Sequence, residues 1–320
     1  MNPNPKISII LPVYNAGEFL RPCLDTLINQ TLKEIEIVCI LDCPTDGSDK
    51  TVQEYAEKDP RILVIKNDRN LHVGESRNVG IRAAHGDYIG FSDHDDIREL
   101  DMYEKLYAAS ENGRADVVLS GKFVVENGIE AGSPFLIETC LRNILNRTST
   151  AHITPHIFKR SLIENRNIQL IDTKKCPGED IIFFTQVMCQ LNNDNQIAVV
   201  PEVFYHHIET GRNTADSPDY SSLQKVPLLV HNLYRLVGQS PYNGKMNNEL
   251  WTFLILTTYS IFMSYARKKG LNHALKEQKI IIMKDKIYHD IANGCSGTGK
   301  KISIPKKIFA FWLKRSLKMK

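Results

Sequence analysis

The chain has 320 residues, ordinary globular composition and a formal net charge of +3. That is long enough for one large domain, or for one of about 220 residues with an appendage. Its seven cysteines, at 23, 39, 43, 140, 176, 189 and 295, are odd in number and include no C-x-x-C pair. A zinc site or a disulfide framework is therefore not expected, and a reducing cytoplasm is the natural setting.

Lys6 to Val13 (KISIILPV) opens the fold as a nearly continuous apolar run, the pattern of a parallel strand covered on both faces. No basic and apolar secretion signal precedes it, so the protein is expected to stay in the cytoplasm. Leu20, Leu24, Leu27 and Ile28 then fall on one helical face. Glu34 to Leu41 repeats the strand pattern. Thr45-Asp46-Gly47-Ser48 turns into a helix through about Glu57, with Ser48 as its expected cap and Asp46 as a turn residue. A third strand, Arg61 to Lys66, a loop from Asn67 to Val73 and a helix from Glu75 to Ala84 lead to a fourth strand, Tyr88 to Phe91.

Four alternations of strand and helix in about 100 residues imply an α/β fold, an open and mostly parallel Rossmann-like sheet flanked by helices, with ligands at the carboxyl ends of its strands. The informative residues fall at those ends: Pro12 to Asn15, Asp42, and Asp93-His94-Asp95-Asp96. Like charges packed so tightly call for a cation, and hard oxygen ligands suit Mg²⁺ or Mn²⁺. An EF-hand is excluded, because Ile97 and Arg98 stand where that loop needs an oxygen ligand and a glycine.

A helix over Leu100 to Asn112 and a strand over Asp116 to Ser120 follow, and Asn127-Gly128 reads as a hairpin turn. Residues 133 to 178 read as loops and short helices over a pocket mouth. Glu179 to Leu191 (EDIIFFTQVMCQL) is a buried helix with two acids in its first turn, and Ala198 to Tyr205 a further strand. Beyond about 220 the pattern is helical. The run from Trp251 to Met263 is 13 residues long and polar in places, too short for the roughly 20 apolar residues of a membrane span. Gly294 to Gly299 reads as a flexible linker. Residues 300 to 320 hold eight Lys or Arg and no acid, interleaved with Ile308, Phe309, Phe311, Trp312, Leu313 and Leu317. That is the character of a helix on an anionic membrane surface, and no nucleic-acid partner is expected.

Taken together, ISIILPVYNAGEFLRPCLDTLINQT, LDCPTDGSDKT, NLHVGESRNVGI, YIGFSDHDDI and GEDIIFF resemble, in order and spacing, the family 2 inverting glycosyltransferases of the GT-A fold, bacterial polysaccharide and glycolipid type, over Lys6 to about Thr214. The resemblance implies a nucleotide-diphospho-sugar donor, most often UDP-linked, and a divalent metal. Pro12, Val13, Tyr14 and Asn15 match the segment lining the base pocket, and Asp42 the aspartate that accepts from the uracil N–H. Cys43-Pro44 departs from the family's Gly-Ser there. Arg77, in Ser76-Arg77-Asn78, matches the arginine that holds the nucleotide site near the D-x-D acids, and Gly74 permits close backbone approach. Asp93 is expected on ribose or metal water, Asp95 on the metal, with Asp96 orienting both and His94 beside the diphosphate. Asp180 matches the general base. Tyr205-His206-His207 and Arg212 stand where relatives often carry Tyr-x-x-Arg or His, and the role of His207, between completing the metal shell, contacting the β-phosphate and simple packing, stays open.

The expected organisation is a transferase domain over 1–218, a helical region over 219–293, and a linker and basic tail over 294–320. The expected function is transfer of a hexose or N-acetylhexosamine to a saccharide or lipid-linked acceptor, from the cytoplasm and at the inner face of the membrane. Two alternatives stand beside it: a sugar-nucleotide nucleotidyltransferase, which wants a Gly-rich basic loop where Pro12 to Gly17 stand, and a non-catalytic nucleotide-sugar sensor, against which the acids at 42, 93, 95 and 180 argue.

Overall fold

The computed structural model describes residues 5–320 except 112, 131–132, 134–135, 149–150, 209–224, 273, 275, 277, 279–284, 298–305, 308, 311 and 314–320. The chain divides into two compact units. The first comprises residues 1–137, 151–174 and 179–211, and the second 138–150, 175–178 and 212–320.

In chain order the elements are β1 (Ile7–Val13), α1 (Leu20–Ile28), β2 (Ile35–Leu41), α2 (Ser48–Lys58), β3 (Ile62–Lys66), α3 (His72–Ala83), β4 (Tyr88–Phe91), β5 (Ile97–Arg98), α4 (Met102–Ala109), β6 (Val117–Ser120), α5 (Lys122–Asn127), α6 (Leu136–Leu145), β7 (Ile157–Lys159), α7 (Arg160–Asn165), α8 (Glu179–Gln190), β8 (Ile197–Val200) and β9 (Tyr205–His206). The helices α9 (Lys225–Gly238), α10 (Asn247–Lys269) and α11 (Lys286–Gly294) follow.

Every residue of β1 and β2 is buried, which is why both strands read as unbroken apolar runs. Seven strands form one sheet in the order β3-β2-β1-β4-β7-β6-β8. Neighbours are parallel except at β7, which runs antiparallel to both β4 and β6. The strand order reverses between β1 and β4, so the crevice beyond their carboxyl ends is a topological switch point where ligands bind. A second, antiparallel ribbon pairs β5 with β9, Ile97 opposite His206 and Arg98 opposite Tyr205.

The mostly parallel sheet expected from the sequence is present, with local corrections. The stretch expected to hold loops and short helices has the helices α6 and α7 but also supplies the strand β7, and a three-residue strand carries too little periodicity to be seen. Asn127-Gly128 is no hairpin turn: Gly128, at φ 58, closes α5 as a left-handed C-cap. The two structures share a demand for positive φ, so the same residues suit either. The single strand expected over Ala198 to Tyr205 is two, broken after Val200, where Pro201 offers no N–H to a ladder. Ser48 does not cap α2. Gly47 does, at φ 90, while Ser48 Oγ donates to Asp46 Oδ1 at 2.6 Å and accepts from the Ala16 N–H at 3.1 Å.

Within the second unit, the expected flexible linker is pinned where it is described. Asn248 Oδ1 accepts from the N–H groups of Ser296 (2.9 Å) and Gly297 (3.1 Å), and Asn247 donates to the Gly294 carbonyl. In the tail, Phe309 packs against Tyr259 and Phe262 of α10, with ring centroids 5.4 and 5.3 Å apart, and Leu313 is fully buried. These two apolar residues are therefore occupied within the chain. Among the described residues no helix is long and apolar enough to cross a membrane.

Candidate active site

Three strand ends supply the site. Asp42 follows β2 directly and is 2% exposed. Its Oδ1 accepts from Asn67 Nδ2 (2.8 Å) and from the Leu71 N–H (2.7 Å), and its Oδ2 from the His72 N–H (2.8 Å). His72 adopts φ 65 to present that N–H, a left-handed conformation uncommon outside glycine. Of the four residues expected to line the base pocket, Pro12 and Val13 are buried in β1, and Tyr14 stands 46% exposed beyond it. Asn15 accepts from the Thr45 N–H at 2.8 Å and so holds the neighbouring turn. Cys43, at φ 58, carries the departure from the family's sequence and donates to the Asn67 carbonyl at 3.3 Å. Gly74 does allow a close approach, but to protein: a Cβ there would lie 2.2 Å from the Ile171 carbonyl oxygen.

The acids from β4 and α8 converge on Arg77. Its Nη2 lies 2.8 Å from Asp93 Oδ1, and its Nη1 2.7 Å from Asp180 Oδ1 and 3.6 Å from Glu179 Oε1. Arg77 is 2% exposed and sits 5.8 Å from the Phe91 ring centroid. Burial works against its charge, yet the three carboxylates outweigh it and raise its pKa. Burial likewise pushes Asp93 up, but Arg77 wins and holds that carboxyl below its usual value. Glu179 is pushed up to about 7, first by burial and then by Asp180. Asp180 is raised by burial, with Arg77 opposing. A helix N-terminus favours an ionised carboxylate, and at Asp180 desolvation offsets that preference.

Asp95 is raised by burial, with the charges of Asp93 and Asp96 adding to it, while His94 opposes. The His94 Nδ1 lies 4.0 Å away and is itself buried without a hydrogen-bond partner. Asp96 was expected to orient the other two acids. Instead its Oδ2 engages His207 Nδ1 at 2.9 Å and its Oδ1 accepts from the Ile208 N–H at 3.0 Å. The Asp96 bond raises the His207 pKa and leaves Nε2 as the ring's other polar atom. Arg212 lies outside the described residues.

Three contributors, His152, Arg98 and Asn67, had no site signal in the sequence, while a fourth, Tyr205, lies in the segment that the resemblance marks. His152, from the stretch expected to be irregular, lies with its ring 4.7 Å from that of His207. Tyr205 accepts from the Asp93 N–H at 2.9 Å. Arg98 is 3% exposed, donates to Ser92 Oγ (2.8 Å) and to the Asp96 carbonyl (3.1 Å), and lies 5.4 Å from the Tyr205 ring centroid. Asn67 was assigned only to a loop.

Among the described residues no group of three or more His, Cys, Asp or Glu is gathered to hold an ion alone. The donor set nevertheless fits a divalent cation held by one or two carboxylates and by diphosphate oxygens. Asp95 is crowded by like charge, and His207 carries the carboxylate-backed imidazole typical of a metal ligand.

Residues 8–165 match the family described as Glycosyl transferase family 2. The uncharacterized glycosyltransferase EpsJ of Bacillus subtilis is 27% identical over 95% of this chain and 82% of its own. Among solved structures, S. aureus TarS 1-349 in complex with UDP-GlcNAc superposes with a TM-score of 0.69 at 20% identity, over 98% of this chain and 88% of that one. Mannosyltransferase PcManGT from Pyrobaculum calidifontis, in complex with GDP-Man and Mn²⁺, gives 0.54 at 16%, over 98% and 87%. At these identities the two structures speak to the fold. The class is that of GT-A transferases. Residues 8–165 belong to the family 2 glycosyltransferases, and the chain is a transferase enzyme.

Proposed function

We propose that this enzyme moves a hexose or N-acetylhexosamine from a UDP-linked donor to a hydroxyl of a saccharide or lipid-linked acceptor, with inversion at the anomeric carbon. The observation that carries the reading is the Arg77 guanidinium, which holds an acid of the D-x-D loop and the candidate base on adjacent nitrogens. One sugar ring between those carboxylates would meet both.

Asp180 takes the proton of the acceptor hydroxyl as that oxygen bonds to the anomeric carbon; the bond to the diphosphate oxygen breaks, and the diphosphate leaves with the electron pair. Arg77 occupies Oδ1 of Asp180, so the proton goes to Oδ2. A raised pKa suits this task, because a base titrating nearer the working pH retains more proton affinity. Mn²⁺ or Mg²⁺, bound by Asp95 and Asp93, would supply positive charge against the departing diphosphate. Asp96 fixes His207 toward the same place. The acceptor is a cell-surface glycan or glycolipid precursor, met at an anionic membrane through the lysines of residues 300–320.

The test is hydrolysis and transfer across a panel of sugar nucleotides, with Mn²⁺ and with a chelator. Metal-dependent release of UDP from one UDP-sugar is expected, and no turnover of any sugar nucleotide would overturn the reading.

A further inference from the structure

The Asp42 carboxylate, directly beyond the carboxyl end of β2, is already largely engaged. A carboxylate offers about four acceptor directions, two on each oxygen. Asn67 Nδ2 and the Leu71 N–H take both on Oδ1, and the His72 N–H takes one on Oδ2. One direction remains, on Oδ2. The clamp is costly to build, since His72 holds φ 65 without being a glycine, and strain of this kind is kept where surrounding structure fixes a functional geometry. Asn67 is itself anchored, its Nδ2 reaching Ser76 Oγ at 3.0 Å and its N–H the Leu41 carbonyl at 3.0 Å.

We propose that Asn67, without touching the base, is a specificity-determining residue: by filling Oδ1 it leaves Asp42 able to accept one ring N–H and no second donor. Uracil presents a single imide N–H. Guanine presents N1–H and the 2-amino group side by side, and both seek the two oxygens of one carboxylate. With Oδ1 filled, the amino group would be buried unpaired, a mismatch that sites built on polar contacts reject strongly. The proposal rests on the nucleotide-sugar reading above and assigns its selectivity to a residue outside the base contact.

The experiment is calorimetric titration of the full chain with UDP and with GDP at one Mn²⁺ concentration, repeated for Asn67→Ala, with circular dichroism to establish folding. Asn67→Ser, which also lacks the amide, is read the same way should the alanine variant fail to fold. Wild type is expected to prefer UDP by at least about 100-fold. Asn67→Ala frees one direction on Oδ1 and should narrow that preference about tenfold, the scale of one hydrogen bond to a charged group, chiefly by tightening GDP. Equal wild-type affinities, or a UDP-to-GDP ratio unmoved by both substitutions, would overturn the inference and leave the transferase reading intact. Failure to bind either nucleotide would overturn both.

Discussion

Arg77 Nη1 and Asp180 Oδ1 lie 2.7 Å apart although 103 residues separate them in the chain. The same guanidinium holds Asp93 at 2.8 Å. A buried, permanently charged group thus fixes the spacing between the acidic loop after β4 and the candidate base at the start of α8. Asp180→Asn keeps the size and an oxygen for Arg77 but cannot take a proton. Transfer should fall by about 10³-fold, within the range general bases contribute, while UDP affinity measured by calorimetry stays within about threefold. Turnover at the wild-type rate would remove Asp180 from the role.

Removing Arg77 has a different signature. Arg77→Met leaves three partly exposed acids with no counter-charge, and their contact with solvent keeps the loss below the roughly 3–5 kcal/mol of breaking a fully buried network. Urea unfolding should show that loss. Arg77→Lys keeps the charge without the fork, and should recover most of the stability but little of the activity.

The pH dependence of transfer follows from the direction of the Asp180 shift. Burial raises this carboxyl, so the base loses its ionised form as pH falls through a value above the ordinary aspartate range near about 4. The acid limb of kcat should therefore sit above that range. A limb at or below it would show that a different group carries the proton.

His156 makes an independent prediction about stability. It is fully buried, accepts from the Ser120 N–H through Nδ1 at 3.1 Å, and is ringed by Phe123, Phe158 and Phe184. Burial lowers its pKa to about 3. The unfolded chain binds a proton that the folded chain refuses, so stability present above about pH 6.5 is lost as pH falls toward 3. The slope from this one group is about 1.4 kcal/mol per pH unit. In the His156→Gln variant, chemical denaturation between pH 7 and pH 4 should show that slope reduced by this amount.

Asp96 provides a test of how His207 is held. Asp96→Asn weakens the bond that orients the imidazole, and outer partners of this kind change metal affinity 10- to 100-fold. The Mn²⁺ concentration for half-maximal donor hydrolysis should rise about tenfold, and an unchanged requirement would mean that His207 serves packing.

How far the sequence could be read follows the reach of local signals. Ile7–Val13 and Ile35–Leu41 are buried on both faces, and their uninterrupted apolar character announces it. Asp42, Arg77, Asp93, Asp95 and Asp180 lie in short motifs whose order is recognisable, and the structure gathers Arg77, Asp93 and Asp180 in direct contact. Tyr205 is marked by the resemblance, though not its bond to the acidic loop, and Asn67, His152 and Arg98 could not be found that way. Asn67, His152 and Tyr205 work through partners distant in the chain, Asp42, His207 and the Asp93 N–H, while Arg98 folds back on the adjoining acidic loop through a side chain that no short motif marks. Asn127-Gly128 misled for the opposite reason, since the residue pair fixes a backbone angle and leaves the element that uses it unspecified.

The antiparallel insertion of β7 has a consequence for the nascent chain. Strands β1 to β4 are complete once residue 91 has left the ribosome, but the free edge of β4 is covered only when Ile157–Lys159 arrives, and β6 finds its other neighbour later still, at Ile197–Val200. An uncovered apolar edge invites pairing with other chains. Synthesis that pauses between those points should therefore yield aggregates, and chaperone demand should peak there and decline once β7 docks.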